Sequence, residues 1–322
     1  MAFNWQTFRT RALTAILFVV VMLAGLFIND WTFFILFSVI HFGCWWEYLR
    51  IIEKIHTVKF HPYVKLGMMV IGYGLMLWFC GNEYQIKGYG LKENISLPVS
   101  IAGFVLLILG IFQKTKIELI SFGAAAAGLL YISLCWGLLI DLKSGIFWFP
   151  FSIKEEMEHG QLTMRETSSG AWYMAKGFVV CWTIIFTMWV NDTMAYIVGS
   201  LIGKTPLTKI SPKKTWEGTI GGIILAVIVM GLFSDFTSHT MFGINGRYTI
   251  PSYFWYGLVA VAAITGTFGD LLESKLKRMA SIKDSGHIMP GHGGFLDRFD
   301  SLILSIPFCW MYVFVFQRLL SH

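Results

Sequence analysis

The stretch from Asp270 to Ser301 gathers Asp270, Ser274, Lys277, Arg278, Lys283, Asp284, His292, Asp297, Arg298 and Asp300 just ahead of an apolar run. If the segment after Asp270 is helical, Ser274, Lys277 and Arg278 follow it at +4, +7 and +8, so a carboxylate, a hydroxyl and two cations share one stripe. Asp297 and Asp300 are three apart at the start of the last apolar segment and also share a face. Between them "MPGHGG" predicts a turn, because Pro and Gly break helices and glycines let backbone approach a ligand closely. Two further polar clusters precede this one. "WVNDTMAYIVGS" puts Asn191 and Asp192 within or near the end of an apolar helix, with Tyr196 on the Asp192 face. "KTPLTKISPKKTWEG" is a loop holding Lys204, Lys209, Ser211, Lys213, Lys214 and Thr215, with Glu217 opening the next helix.

Lysines, hydroxyls and helix-start N–H groups together suit a polyphosphate. A P-loop is excluded: Gly199, Gly203, Lys204 and Thr205 are one residue short of the required spacing, and no buried strand precedes them. The bland alternatives are a lysine anchor on anionic lipid heads, a polar pair gluing two helices, and a carboxylate pair favoured by a helix N-terminus. Carboxylates that do not neutralise one another want a metal, and an all-oxygen donor set favours magnesium. Magnesium with lysine and arginine equips a site for phosphoryl or nucleotidyl transfer, in which catalysis is mostly positioning and charge neutralisation. The apolar surroundings imply a lipid as the second substrate.

The elements that must hold these groups are membrane helices. The 322-residue chain is 56% hydrophobic and 14% charged, with a mean hydropathy of +0.64; a soluble domain carries about a quarter charged residues. Nine apolar segments are expected to span: about 12–28, 31–49, 64–80, 96–113, 119–140, 177–198, 219–234, 252–269 and 302–319. The fold expected is all-α and polytopic, with the first segment a membrane helix rather than a signal peptide. With the N-terminus in the cytoplasm, most of the 25 Lys and Arg residues fall on the inner side, as do loops 199–218 and 270–301. Residues 1–140 then form the first five helices, 141–176 an extracytoplasmic loop, read as solvated with room for a short surface helix, and 177–322 the catalytic half. The five cysteines lie singly in apolar runs and predict neither disulfides nor zinc.

Residues 274–301, "SKLKRMASIKDSGHIMPGHGGFLDRFDS", closely resemble the hallmark motif of the phosphatidate cytidylyltransferase (CDP-diacylglycerol synthase) family. The match runs through Ser274, Lys277, Arg278, Lys283, Asp284, Gly286, Pro290, His292, Gly293, Gly294, Asp297, Arg298 and Asp300. "NDTMAYIVG" and "KISPKKTWEG" also look like family segments, whereas loop 141–176 is longer than the family leads one to expect. The resemblance implies transfer of the cytidylyl group of CTP to phosphatidate, giving CDP-diacylglycerol and pyrophosphate with Mg²⁺. It implies Asp270 and Asp297 as metal ligands, and Asp300 as a carboxylate behind that metal or on a second one. Lys277, Arg278 and Asp300 would act in catalysis. Asp192, Ser211, Lys213, Lys214, Thr215, Glu217, Ser274, Lys283, Asp284, His292 and Arg298 would bind substrate. A second, monovalent cation such as K⁺ and a homodimer are admitted by the resemblance alone. The expected partners are CTP, phosphatidate and the bilayer, without nucleic acid, in a bacterial inner membrane or else an organellar one. Two rival readings remain: a CTP-dependent polyprenol or phytol kinase, and an ion-coupled transporter.

Overall fold

A computed structural model of the chain describes residues 5–113, 118–150, 172–242, 250–286 and 293–320. It is helical almost throughout, as a bilayer demands: with no water to bond free backbone, each apolar segment must satisfy its own N–H and C=O groups. In order, the helices are α1 (Trp5–Phe27), α2 (Asp30–Ile55), α3 (Pro62–Trp78), α4 (Ser96–Ile111), α5 (Leu119–Ala126), α6 (Cys135–Ser144), α7 (Phe178–Ile202), α8 (Trp216–Phe242), α9 (Ser252–Met279) and α10 (Leu296–Leu320). A π-helical turn, Leu91–Ile95, leads into α4, and another, Leu129–Leu134, joins α5 to α6 in one rod. Among the described residues seven helical stretches are long and apolar enough to cross a membrane: Asp30–Ile55, Leu91–Ile111, Leu119–Ser144, Phe178–Ile202, Trp216–Ser238, Ser252–Met279 and Leu296–Leu319. Predicted segments 12–28 and 64–80 also fall on helices, but Leu13–Phe27 and Pro62–Trp78 are shorter than that standard.

The boundaries follow local chemistry. Asn29 opens α2 with a capping box, its side chain accepting from Thr32 N at 2.8 Å while Thr32 Oγ1 accepts from Asn29 N at 3.1 Å. Pro62 sits in the first turn of α3, where its missing N–H costs nothing. α3 and α4 pack backbone to backbone, because a Cβ on Gly67 would lie 2.6 Å from Leu107 N. We expect Gly67→Val to lower the melting temperature in detergent by prising these helices apart; an unchanged melting curve would count against this packing.

The second half is a packed set: α7 lies along α8, α8 along α9 and α9 along α10. The first half joins it through α2 and α6, which both touch α10. At one end of α2, Asp30 pairs with Lys143 at the end of α6. Glu47 lies 17 residues further along α2, about 25 Å of helix away, at the end where the polar loops gather. The stems of the long loop between α6 and α7 are strands: β3 (Ile146–Pro150) pairs antiparallel with β4 (Trp172–Lys176), in register Ile146 to Lys176. A small hairpin, β1 (Gln85–Ile86) with β2 (Tyr89–Gly90), precedes α4. Residues 151–171, most of the segment read as a solvated loop with room for a short surface helix, lie outside the described residues. All five cysteines are buried and free, as their apolar settings predict.

Candidate active site

The loop between α7 and α8 is a built structure. Trp216 N donates to Thr205 O at 2.9 Å and Leu207 N to Lys214 O at 2.7 Å, so the two sides of the loop run together. Glu217 fastens its start: its carboxylate accepts from Lys204 N at 3.2 Å, Thr205 N at 3.1 Å and Thr205 Oγ1 at 2.8 Å. Thr215 Oγ1 accepts from Gly218 N at 3.1 Å and caps α8. Glu217 therefore shapes the loop, while Ser211, Lys213, Lys214 and Thr215 face a cavity of about 510 Å³. Asn191, Asp192 and Tyr196 of α7 form its second wall and Asp270 of α9 its third. Lys214 crosses the cavity to pair with Asp270. Burial pulls its ammonium below the ordinary lysine pKa, and the carboxylates of Asp192 and Asp300 oppose that shift.

α9 continues through Met279, so the stripe seen in the sequence forms, but its members part company. Ser274 Oγ donates to Asp270 Oδ1 at 3.2 Å. Lys277 turns to the other side, pairing with the fully buried Glu273 and, at 2.7 Å, with Asp297 Oδ1. Arg278 is exposed and reaches the α7–α8 loop, with Nε 3.5 Å from Ile210 O.

A helix start leaves four N–H groups without intrahelical partners. At α10 Glu47 takes those of Phe295 and Leu296 and Ser285 Oγ takes that of Asp297, while the Asp297 carboxylate binds the chain just ahead of the helix. Asp297 Oδ2 accepts from Gly294 N at 2.8 Å and also from Ser285 N at 2.9 Å. Glu47, from α2 and 1% exposed, accepts from Phe295 N at 3.0 Å, Leu296 N at 2.9 Å and Ser285 Oγ at 2.6 Å. The glycines of the turn make room for this: a Cβ on Gly286 or Gly294 would overlap the Glu47 carboxylate. Gly293 has φ +84, the left-handed region that favours glycine.

A second cavity of about 290 Å³ shares Asp192 with the first. Asp297, Arg298 and Asp300 line one side of it, and Phe18, Val19, Ile185 and Trp189 the other. Asp300 is nearly buried, and its Oδ1 accepts from Ser301 N at 2.6 Å. From Trp189 an aromatic wall continues through Phe186 (5.3 Å between ring centres), Trp182 (5.8 Å) and Phe233 (5.6 Å). That wall leads into an apolar groove of about 840 Å³ between α1, α7 and α8.

The structure thus brings Asp192, Ser211, Lys213, Lys214, Thr215, Asp270, Ser274, Lys277, Asp297, Arg298 and Asp300 to the two cavities or their shared rim. It leaves Lys283 and Asp284 exposed beside the turn. His292 lies outside the described residues. Two residues of the site were missed: Glu273, inside the stripe, and Glu47. The signal for Glu47 was available, since it is the one acidic residue of predicted segment 31–49, and intramembrane carboxylates need partners.

Among the described residues no three His, Cys, Asp or Glu side chains form a ready-made metal cage. Magnesium does not need one, because it takes one or two carboxylates and completes its shell with phosphates and water. Asp270, Asp297, Asp192 and Asp300 fit that use.

Fold and site together define a polytopic membrane protein with a cation-rich pocket beside an amphipathic one. Residues 9–316 match the model of the cytidylyltransferase family, and the chain belongs to that family. Phosphatidate cytidylyltransferase of Bacillus subtilis (strain 168) is 27% identical over 311 residues, 96% of this chain and 98% of that protein. The Haemophilus influenzae enzyme of the same name is 29% identical over 320 residues, 95% and 99% of the two chains. The Rickettsia conorii one is 32% identical over 231 residues, 70% and 93%.

Proposed function

We propose that this chain transfers the cytidylyl group of CTP to phosphatidate, forming CDP-diacylglycerol and pyrophosphate at the cytoplasmic face of a bacterial inner membrane. The observation that carries the reading is the meeting of two unlike cavities at Asp192: one lined by lysines and hydroxyls, the other by charged groups on one side and apolar ones on the other. The first suits the triphosphate of CTP, with Lys213, Lys214, Ser211 and Thr215 as donors. The second suits a lipid phosphate at Arg298, with the acyl chains led away along the aromatic wall. A lipid phosphate oxygen attacks the α-phosphorus of CTP; the new P–O bond forms as the bond to the β-phosphate bridge breaks, and pyrophosphate leaves with the electron pair. No side chain need act as nucleophile.

Asp270 and Asp297 would hold magnesium, which neutralises phosphate charge when bound. Both carboxylates are held by lysines in this structure. With magnesium on those carboxylates, Lys214 and Lys277 would be available to bond phosphate oxygens. The concentration of lysine and arginine in loops 199–218 and 270–301 supports a cytoplasmic orientation.

The products test the reading. Pyrophosphate should appear in one-to-one ratio with labelled lipid; release of CDP, with γ-phosphate passing to an added polyprenol, would favour the lipid-kinase reading instead. The loop gives a separate prediction. Glu217→Ala removes three contacts that hold Lys204 and Thr205, so KM for CTP should rise about tenfold with kcat little changed. Initial rates over a CTP series decide, and an unaltered KM would show that the clasp does not matter for binding.

A further inference from the structure

We infer that Glu47, in the N-terminal half of the chain, is a positioning residue for the transfer reaction, acting on Asp297 through the turn that begins α10. The inference rests on the functional reading above.

A carboxylate at 1% exposure within a membrane helix is expensive unless strong donors compensate it. Glu47 has three, and all belong to one short stretch of chain 238 to 249 residues away. The need for it is local. Phe295 stands where a helix ordinarily has Ser, Thr, Asp or Asn to cap its N–H groups, and its side chain cannot accept a hydrogen bond. Acceptors from elsewhere stand in: Glu47, from another helix, takes the N–H groups of Phe295 and Leu296, and Ser285 Oγ, itself bonded to Glu47, takes that of Asp297.

The same carboxylate fixes Asp297. Ser285, which donates its hydroxyl to Glu47, donates its own N–H to Asp297 Oδ2 at 2.9 Å and accepts from Asp297 N at 3.3 Å. With Oδ2 so held, Oδ1 is aimed at Lys277. Glu47 thus sets where a reacting-site carboxylate and its lysine stand. It lines neither the lysine cavity nor the second cavity. Its loss should therefore impair the chemical step and spare nucleotide binding, a split that a purely structural role does not produce.

The test uses the purified full-length chain in detergent, with Glu47→Gln and Ser285→Ala beside the wild type. The glutamine amide keeps one acceptor but presents an N–H₂ to backbone N–H groups or to Ser285. kcat for CTP and phosphatidate is expected to fall about 100-fold in Glu47→Gln and about tenfold in Ser285→Ala. KM for CTP should stay within about threefold of wild type, and CTP binding should keep its full stoichiometry per chain. A kcat that falls only in step with CTP-binding stoichiometry would mean a structural role and overturn the inference, as would wild-type kcat in either variant. If Glu47→Gln does not fold, Ser285→Ala decides alone, since it deletes one hydroxyl of the same contact. A wild-type chain that moves no cytidylyl label would sink the functional reading itself; an active wild type with unimpaired variants would sink only the role of Glu47.

Discussion

Asp297→Ala is expected to lower kcat by about 1,000-fold, the largest effect of any single substitution in the site. The carboxylate stands between two sets of donors. Oδ2 holds Gly294 N and Ser285 N, and Oδ1 holds Lys277. Alanine leaves both backbone donors without their acceptor and the lysine without one of its two carboxylates. It also removes a proposed magnesium ligand. Asp297→Asn separates shape from charge. Asparagine fills the same space, but only one of its two polar atoms accepts, so an N–H₂ must face either Lys277 or the turn. Its kcat should fall within about tenfold of the alanine variant, although its fold is kept better. Steady-state rates, normalised to monodisperse protein, check both; an asparagine variant with near wild-type kcat would show that the charge on Asp297 is dispensable.

Lys277→Met is expected to be the most damaging change for stability. Lys277 is the shared counter-charge of Glu273, whose side chain is fully buried, and of Asp297, whose side chain is 10% exposed. Methionine matches the length of the lysine stem but leaves two carboxylates facing each other with no cation between them. Breaking a buried pair from one side costs about 3–5 kcal/mol, because the partner charge stays buried and uncompensated. A melting temperature lower by about 10 °C follows for a chain of this size. The double variant Lys277→Met with Glu273→Gln should recover a good part of that loss, since it removes one of the stranded charges, while activity stays low. The 13 tryptophans provide a fluorescence readout of unfolding in detergent. Equal melting curves for wild type and Lys277→Met would mean that the ion pair contributes nothing net.

How far the sequence reaches is clearest on α9. The spacing of Asp270, Ser274 and Lys277 was legible because a helix converts spacing into a shared stripe, and α9 does run on through Met279. Which neighbour each group meets was not legible: Asp270 meets Lys214 from the α7–α8 loop, Lys277 meets Asp297 from α10, and Arg278 leaves the stripe for Ile210. Those choices are made by packing between helices, which no local pattern encodes. Glu47 shows the same limit. Its cost in an apolar segment is visible in the sequence, but its partners are set by a contact across more than two hundred residues. The resemblance implied Glu217 as a substrate-binding residue; the structure places its oxygens on the Lys204 and Thr205 N–H groups of its own loop. The π-helical turn at Leu129–Leu134 had no signal at all, although it carries Ser133, whose hydroxyl meets His41 at 2.9 Å and Trp45 at 2.8 Å in the first half of the chain. The apolar segments themselves were easy to find, because a bilayer requires long uncharged helices whatever they pack against.

The most direct measurement follows the α-phosphorus. Purified protein in detergent would be given phosphatidate, magnesium and CTP radiolabelled at the α-phosphate, beside the Asp297→Asn variant, and the lipid phase counted. Label is expected in lipid for the wild type, in step with pyrophosphate release, and nearly none for the variant. Label that stays in the aqueous phase with the wild type, while γ-labelled CTP marks an added lipid alcohol, would contradict cytidylyl transfer to phosphatidate.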